Sequence, residues 1–121
     1  MKRILIIDDS MEYHALFRQS LKTLTGIEIV KVFTAPEFFS EWDRNSKFHL
    51  AFMDGCLSSQ ECDTIPLIKK IRETSKCPII ASSSLPEARQ QMMQAGCDYE
   101  FDKNFFDKKW LKKVKQFLDI K

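Results

Sequence analysis

Two short apolar runs in this chain end on carboxylate side chains. Residues 4–7 are followed directly by Asp8 and Asp9, and residues 49–53 are followed by Asp54. If both runs are strands of one parallel sheet, their carboxyl ends meet at the edge where open α/β sheets bind ligands. Carboxylates gathered there would repel one another, and a hard divalent cation such as Mg²⁺ would offset their charge. The sequence therefore predicts an anionic metal-binding pocket at this edge.

Two further polar groups fall at predicted strand ends. Residues 82–84 are three consecutive serines, and Lys103 follows the short, weak fifth strand predicted over residues 99–102. A carboxylate such as Asp54 can act as a nucleophile and form an aspartyl phosphate. A hydroxyl and an ammonium group can bind phosphoryl oxygens as charge develops on them. The chemistry indicated is phosphoryl transfer to Asp54, with Asp9 and Asp54 as carboxylate ligands of magnesium.

Strand and helix patterns alternate along the chain and would position these groups. Helix signals include caps at Ser10 and Thr34, a capping box over residues 84–87 and a terminating Gly96. Five βα units imply an α/β fold of the doubly wound, flavodoxin-like kind: a five-stranded parallel sheet in the order 2-1-3-4-5 with helices on both faces. The predicted strands cover residues 3–7, 28–33, 49–53, 78–82 and 99–102, and the clearest helices cover residues 11–24, 84–95 and 106–118.

The first helix should bury Leu16, Phe17, Leu21 and Leu24 on one face. On this pattern His14 is expected to be exposed.

Length and composition favour one ordinary domain over residues 1–121. The 121 residues are 44% hydrophobic, with a formal charge of +2. No leader and no stretch of membrane-spanning length is evident, so we expect a cytoplasmic protein without a membrane partner. The lysine-rich tail could touch nucleic acid, but its helical spacing favours a solvated face. The four cysteines form no C-x-x-C pair, which favours reduced thiols over a zinc site with His14 or His49.

The ordered motifs resemble the receiver domain of two-component response regulators. They are ILIIDDS at residues 4–10, FMD at 52–54, CPIIASS at 77–83 and QAGCDYEFDK at 94–103. The resemblance covers essentially the whole chain. It implies that Asp54 is the phosphoacceptor and that Asp8 and Asp9 form the acidic pair, with Asp9 a direct metal ligand. The main-chain carbonyl of Cys56 falls at the third metal-ligand position.

The resemblance also assigns two phosphoryl-binding side chains and the partners. Ser83 matches the hydroxyl that senses the phosphoryl group, and Lys103 matches the lysine of the site. The implied cofactor is Mg²⁺, the implied donor is a histidine kinase or a histidine phosphotransfer protein, and a downstream protein target would read the output. We expect no nucleic-acid binding by this domain, and no enzymatic activity beyond self-directed phosphotransfer and dephosphorylation.

Three features depart from the family pattern. The loop over residues 55–63 is long and lacks the usual proline and glycine pattern, Glu100 occupies the place of the switch aromatic, and Asn104 replaces the proline after the lysine. We expect a trans bond between Lys103 and Asn104, since a non-proline cis bond costs roughly 2.5–4 kcal/mol. Glu100 should point outward, near Lys103 or a lysine of the tail.

Two other functions fit the same fold. A pseudo-receiver would be a docking module that is not phosphorylated in the cell, and the departures at Glu100 and Asn104 favour it somewhat. A magnesium-dependent phosphatase is less favoured, because so short a chain has no cap domain to exclude water from a substrate.

Overall fold

Strands and helices alternate in the computed structural model, which describes residues 1–57 and 62–120. Within that part of the chain, no helix has both the length and the apolar character needed to cross a bilayer. The elements are β1 (Lys2–Ile7), α1 (Met11–Leu21), β2 (Ile27–Val32), α2 (Ala35–Arg44), β3 (Leu50–Asp54), α3 (Ile65–Thr74), β4 (Ile79–Ser82), α4 (Pro86–Ala95), β5 (Tyr99–Phe101) and α5 (Lys108–Leu118).

The sheet confirms the predicted topology. Its five strands are all parallel and lie in the order β2-β1-β3-β4-β5. Ile7 pairs with Met53, and Asp54 pairs with Ser82. The polar residues that end β1, β3 and β4 therefore lie side by side at one edge.

The core forms two layers, one on each face of the sheet. Successive side chains of a strand point to opposite faces, so the central strands contribute to both layers. Leu5 and Ile7 pack on the side of α2, α3 and α4, whereas Ile4 and Ile6 pack on the side of α1 and α5. All four side chains are buried. Coverage of both faces explains why β1 and β3 are apolar runs rather than alternating ones.

Side-chain caps fix the starts of three helices. The Ser10 hydroxyl accepts a hydrogen bond from the Tyr13 amide at 3.3 Å, and the Thr34 hydroxyl accepts one from Glu37 at 3.2 Å. The Asp107 carboxylate accepts one from the Trp110 amide at 2.8 Å. This cap makes α5 begin at Lys108, two residues later than predicted.

The predicted capping box at residues 84–87 is wrong. Helix α4 begins at Pro86 with Leu85 as its N-cap, and no side chain caps it. The Leu85 amide instead donates to the Ser83 hydroxyl at 3.1 Å. Proline at the first helical position has no N–H that needs an acceptor, so this helix can start without a capping side chain. The predicted end is confirmed, with Gly96 as C-cap at a φ of 129°.

Helix α1 corrects three predictions. It ends at Leu21 rather than at residue 24, and Leu16 is 46% exposed. His14, predicted to be exposed, is only 4% exposed. It precedes Phe17 by three residues and Leu21 by seven, which is the spacing of a single helical face.

Two backbone carbonyls compensate the burial of this imidazole. His14 Nε2 lies 2.8 Å from the carbonyl oxygen of Asp8 and 3.2 Å from that of Val32. Because carbonyls only accept, Nε2 carries the hydrogen and donates to them.

Candidate functional site

Asp8 is held in place directly after β1. Its amide continues the ladder by donating to the Val32 carbonyl at 3.0 Å, and its Oδ1 accepts from the Ser10 amide at 2.9 Å. The side chain is fully buried, whereas Asp9 next to it is exposed. The turn between β1 and α1 therefore presents one buried and one accessible carboxylate at the same edge.

Asp54 is the last residue of β3, the central strand of the sheet. It is 5% exposed, and its Oδ1 accepts from the Gly55 amide at 2.8 Å. Ligand oxygens of Asp8, Asp9 and Asp54 all lie within 4.8 Å of one another. The predicted convergence of the three carboxylates is confirmed.

Lys103 bridges two of these carboxylates. Its Nζ lies 2.9 Å from Asp8 Oδ2 and 3.0 Å from Asp54 Oδ1, which confirms the predicted salt-bridge reach. The ammonium also lies 4.0 Å from the ring centroid of Tyr13. The lysine side chain is nearly buried, so all these interactions act with little screening by water.

The charges of the pocket are unbalanced. Burial and the Asp8 charge raise the pKa of Asp54 to about 6, although Lys103 opposes the shift. Burial alone would lower the pKa of Lys103, but the Asp54 and Asp8 carboxylates outweigh it and raise that pKa. The one charge of Lys103 thus cannot balance the three carboxylates, and the folded protein disfavours the ionised form of Asp54.

This donor set fits a magnesium ion. Mg²⁺ takes oxygen ligands, commonly one or two carboxylates together with waters, and its charge would offset the excess negative charge. Asp8, Asp9 and Asp54 are the cluster of possible metal ligands found among residues 1–57 and 62–120. Cys56, whose carbonyl is the further predicted ligand, is partly buried next to Asp54. Its role stays a prediction.

Ser83 lies beside the carboxyl end of β3. It is 4% exposed, and a Cβ added to Gly55 would lie 3.3 Å from its hydroxyl oxygen and 3.1 Å from the Ala88 Cβ. Glycine after Asp54 therefore allows the segment following β3 to approach the start of α4 closely. Of the loop predicted over residues 55–63, the part at 58–61 lies outside the described residues.

Two contacts near Lys103 were not predicted. The Tyr13 hydroxyl donates to Asn104 Oδ1 at 2.8 Å while its ring covers the Lys103 ammonium. The position of Tyr13 in the sequence could have indicated these contacts, because Tyr13 follows the cap Ser10 by three residues and lies in the first turn of α1. The Lys103–Asn104 bond is trans, as predicted.

Glu100 points outward as predicted, but its partner is different. It is exposed, and its Oε1 lies 3.1 Å from Arg89 Nε on α4 rather than near a lysine. Arg89 Nη1 also donates to the Ser83 carbonyl at 2.6 Å. One arginine thus joins β5 to the segment that follows β4.

The fold and the acidic pocket define a class: an open parallel α/β domain with a cluster of carboxylates at one sheet edge. The chain matches the family model described as the response regulator receiver domain over residues 4–115. The protein therefore belongs to the receiver domains of two-component signalling. Among curated proteins, none matches the chain.

Solved structures agree with this assignment. A two-component response regulator from Clostridium difficile is 27% identical, with a TM-score of 0.82 and coverage of 98% of this chain and 97% of that one. The receiver domain of the sensor histidine kinase PA1611 from Pseudomonas aeruginosa PAO1 shares the fold at 20% identity, with a TM-score of 0.78 and 98% of both chains covered. The response regulator DrrB from Thermotoga maritima shares it at 23% identity and 0.80, with 98% of this chain and 53% of DrrB covered.

Proposed function

We propose that this domain accepts a phosphoryl group on Asp54 in a magnesium-dependent reaction and signals through altered protein binding. The observation that carries the proposal is the Lys103 ammonium, which lies about equally close to Asp8 and Asp54. A buried lysine shared by two carboxylates at a strand end leaves a cation ready to bind phosphoryl oxygens.

The two oxygens of Asp54 have different surroundings. Oδ1 accepts hydrogen bonds from the Gly55 amide and from Lys103, while Oδ2 has no hydrogen-bond partner in the described part of the chain. In the proposed reaction Oδ2 forms the bond to phosphorus as the phosphorus–nitrogen bond of a phosphohistidine donor breaks. Lys103 and the Ser83 hydroxyl bind the oxygens of the transferred group.

Magnesium would be held by the carboxylates of Asp8, Asp9 and Asp54 and by the Cys56 carbonyl. It would neutralise charge on the phosphoryl oxygens. The PA1611 receiver domain is described with a magnesium ion coordinated in its active-site cleft, which supports the same ion here. Asp54 as acceptor and Ser83 and Lys103 as phosphoryl ligands complete the proposed site.

The proposed partners follow from family membership. The donor would be a histidine kinase or a histidine phosphotransfer protein, and the output a downstream protein target, all in the cytoplasm. We propose that residues 1–121 form one receiver domain, of which the family model covers 4–115.

A pseudo-receiver that only docks to partners is the second candidate. The observation that favours it is the ion pair of Glu100 with Arg89, at the place where the family carries its switch aromatic. Glu100 is paired with Arg89 on α4, and position 100 has no aromatic side chain that could rotate as in the usual switch.

Incubation with a small phosphodonor and Mg²⁺, followed by intact mass, separates the candidates. We expect one base-labile phosphoryl group in the wild type and none in Asp54→Asn. The matched control is Asp43→Asn, which removes an exposed aspartate on α2 and should leave labelling unchanged. Absence of labelling in the wild type would favour the pseudo-receiver, and rapid turnover of the donor would indicate a phosphatase.

A further inference from the structure

A second cavity lies outside the acidic pocket, between α1 and the edge strand β2. Its volume is about 570 Å³, within the range of small-molecule sites. Met11, Ala15 and Phe33 give it apolar walls. The cavity is far larger than one water molecule needs and has room for a ligand of nucleotide size.

The rim of this cavity is cationic. Arg18 contributes from α1, Lys22 from the C-cap of that helix and Lys31 from β2, and none of the described residues lining the cavity is a carboxylate. All three side chains are exposed, and none forms an ion pair with another described residue. Three unpaired cations around one cavity attract a multiply charged anion.

The inner wall is aromatic. The rings of His14 and Phe33 lie with their centroids 4.3 Å apart. His14 Nδ1 has no hydrogen-bond partner in the described residues, but it is buried and cannot contact a ligand in the cavity. A ligand would therefore meet the cations and the apolar walls. A flat ring can pack against Phe33 and the flexible Met11 thioether while an attached anion reaches the rim.

We propose that this α1–β2 cavity binds a nucleoside phosphate, with the base against Phe33 and Met11 and the phosphates against Arg18, Lys22 and Lys31. The cavity combines an apolar floor with three cations, which is the chemistry that such a ligand requires. The proposal does not depend on phosphorylation of Asp54.

Amide chemical shifts measured in EDTA with ADP as probe test the proposal. EDTA removes divalent cations, so binding through metal in the acidic pocket does not contribute. We expect saturable shifts at Ala15, Gln19 and Phe33. Adenosine lacks the charge and pyrophosphate lacks the ring, so each should bind about tenfold more weakly or worse.

Variants distinguish the cavity from nonspecific attraction. Lys22→Gln and Lys31→Gln should each weaken ADP binding severalfold, because each removes one rim cation. Lys109→Gln, an exposed lysine on α5, is the matched control and should have no effect. Absence of saturable ADP shifts at the cavity would overturn the proposal. So would equal binding of adenosine or pyrophosphate, or equal losses in the Lys109 control.

Discussion

At the scale of single residues, Asp54 experiences two opposing demands. The proposed role as phosphoacceptor requires an ionised carboxylate, yet burial and Asp8 raise the pKa of Asp54 to about 6 from an ordinary value of 3.8. The folded protein therefore binds a proton on Asp54 more readily than the unfolded chain does. The Lys103 ammonium offsets part of this rise in the pKa of Asp54, and a bound cation would offset more of it.

A pH-dependent stability difference follows for Asp54→Asn in EDTA. A raised folded-state pKa stabilises the fold fully below pH 4, and this contribution is lost as the pH rises through about 6. A shift of about two units corresponds to about 3 kcal/mol. The free energy of unfolding of the variant, relative to wild type, should therefore rise by up to that amount between pH 4 and pH 8.

Urea unfolding of both proteins across this range measures the difference. Added Mg²⁺ should reduce it, because the cation stabilises the wild-type carboxylate. If the difference in the free energy of unfolding did not change with pH in EDTA, the pKa of Asp54 would not be raised in the folded protein.

His14 contributes through its hydrogen bonds to two backbone carbonyls. His14→Leu would leave the Asp8 carbonyl without the imidazole donor at 2.8 Å. We expect a loss of about 1–3 kcal/mol in the free energy of unfolding, the usual effect of an unsatisfied buried group. Leu16→Gln, at a half-exposed position two residues along the same helix, should change stability by less than about 0.5 kcal/mol. Equal effects of the two changes in chemical denaturation would contradict this role.

At the scale of elements, Arg89 connects α4 to β5 and to the segment that follows β4. It contacts the Glu100 carboxylate on β5 and the Ser83 carbonyl after β4. Because Glu100 is about half exposed, the ion pair itself should contribute less than about 1 kcal/mol. Its importance would lie in keeping the Glu100 side chain turned outward toward α4 rather than in stability.

A beryllofluoride phosphate mimic with Mg²⁺ tests whether β5 stays in place when the neighbouring loops respond. We expect amide shift changes at Gly55, Cys56 and Ser83–Leu85, with little change over Tyr99–Phe101, because charged Glu100 cannot enter an apolar space without a large desolvation cost.

In Glu100→Tyr the changes should extend into β5, since an aromatic ring can fill that space. Glu100→Gln keeps the shape without the charge and is the control. Large changes over β5 in the wild type would refute a switch confined to the loops.

At the scale of the whole molecule, the strand ends were predictable from the sequence, but side-chain partners across elements were not. Asp8, Asp54 and Lys103 follow predicted strands whose parallel pairing places them at one edge. The contact of Arg89 with Glu100 depends on the rotation of α4, which no local pattern fixes. The start of α4 was mispredicted because Ser83, rather than Ser84, takes the free amide. The burial of His14 was mispredicted because histidine is a polar residue type, although its helical spacing places it on the same face as Phe17 and Leu21.

The central claim is that Asp54 is the phosphoryl acceptor, and mapping the modified residue tests it most directly. After reaction with a small phosphodonor and Mg²⁺, borohydride reduces an acyl phosphate on aspartate to homoserine, which peptide sequencing by mass spectrometry locates. We predict homoserine at position 54 alone, and none when EDTA replaces Mg²⁺. Homoserine at Asp8 or Asp9, or an unmodified Asp54 under conditions that phosphorylate another receiver domain, would contradict the account.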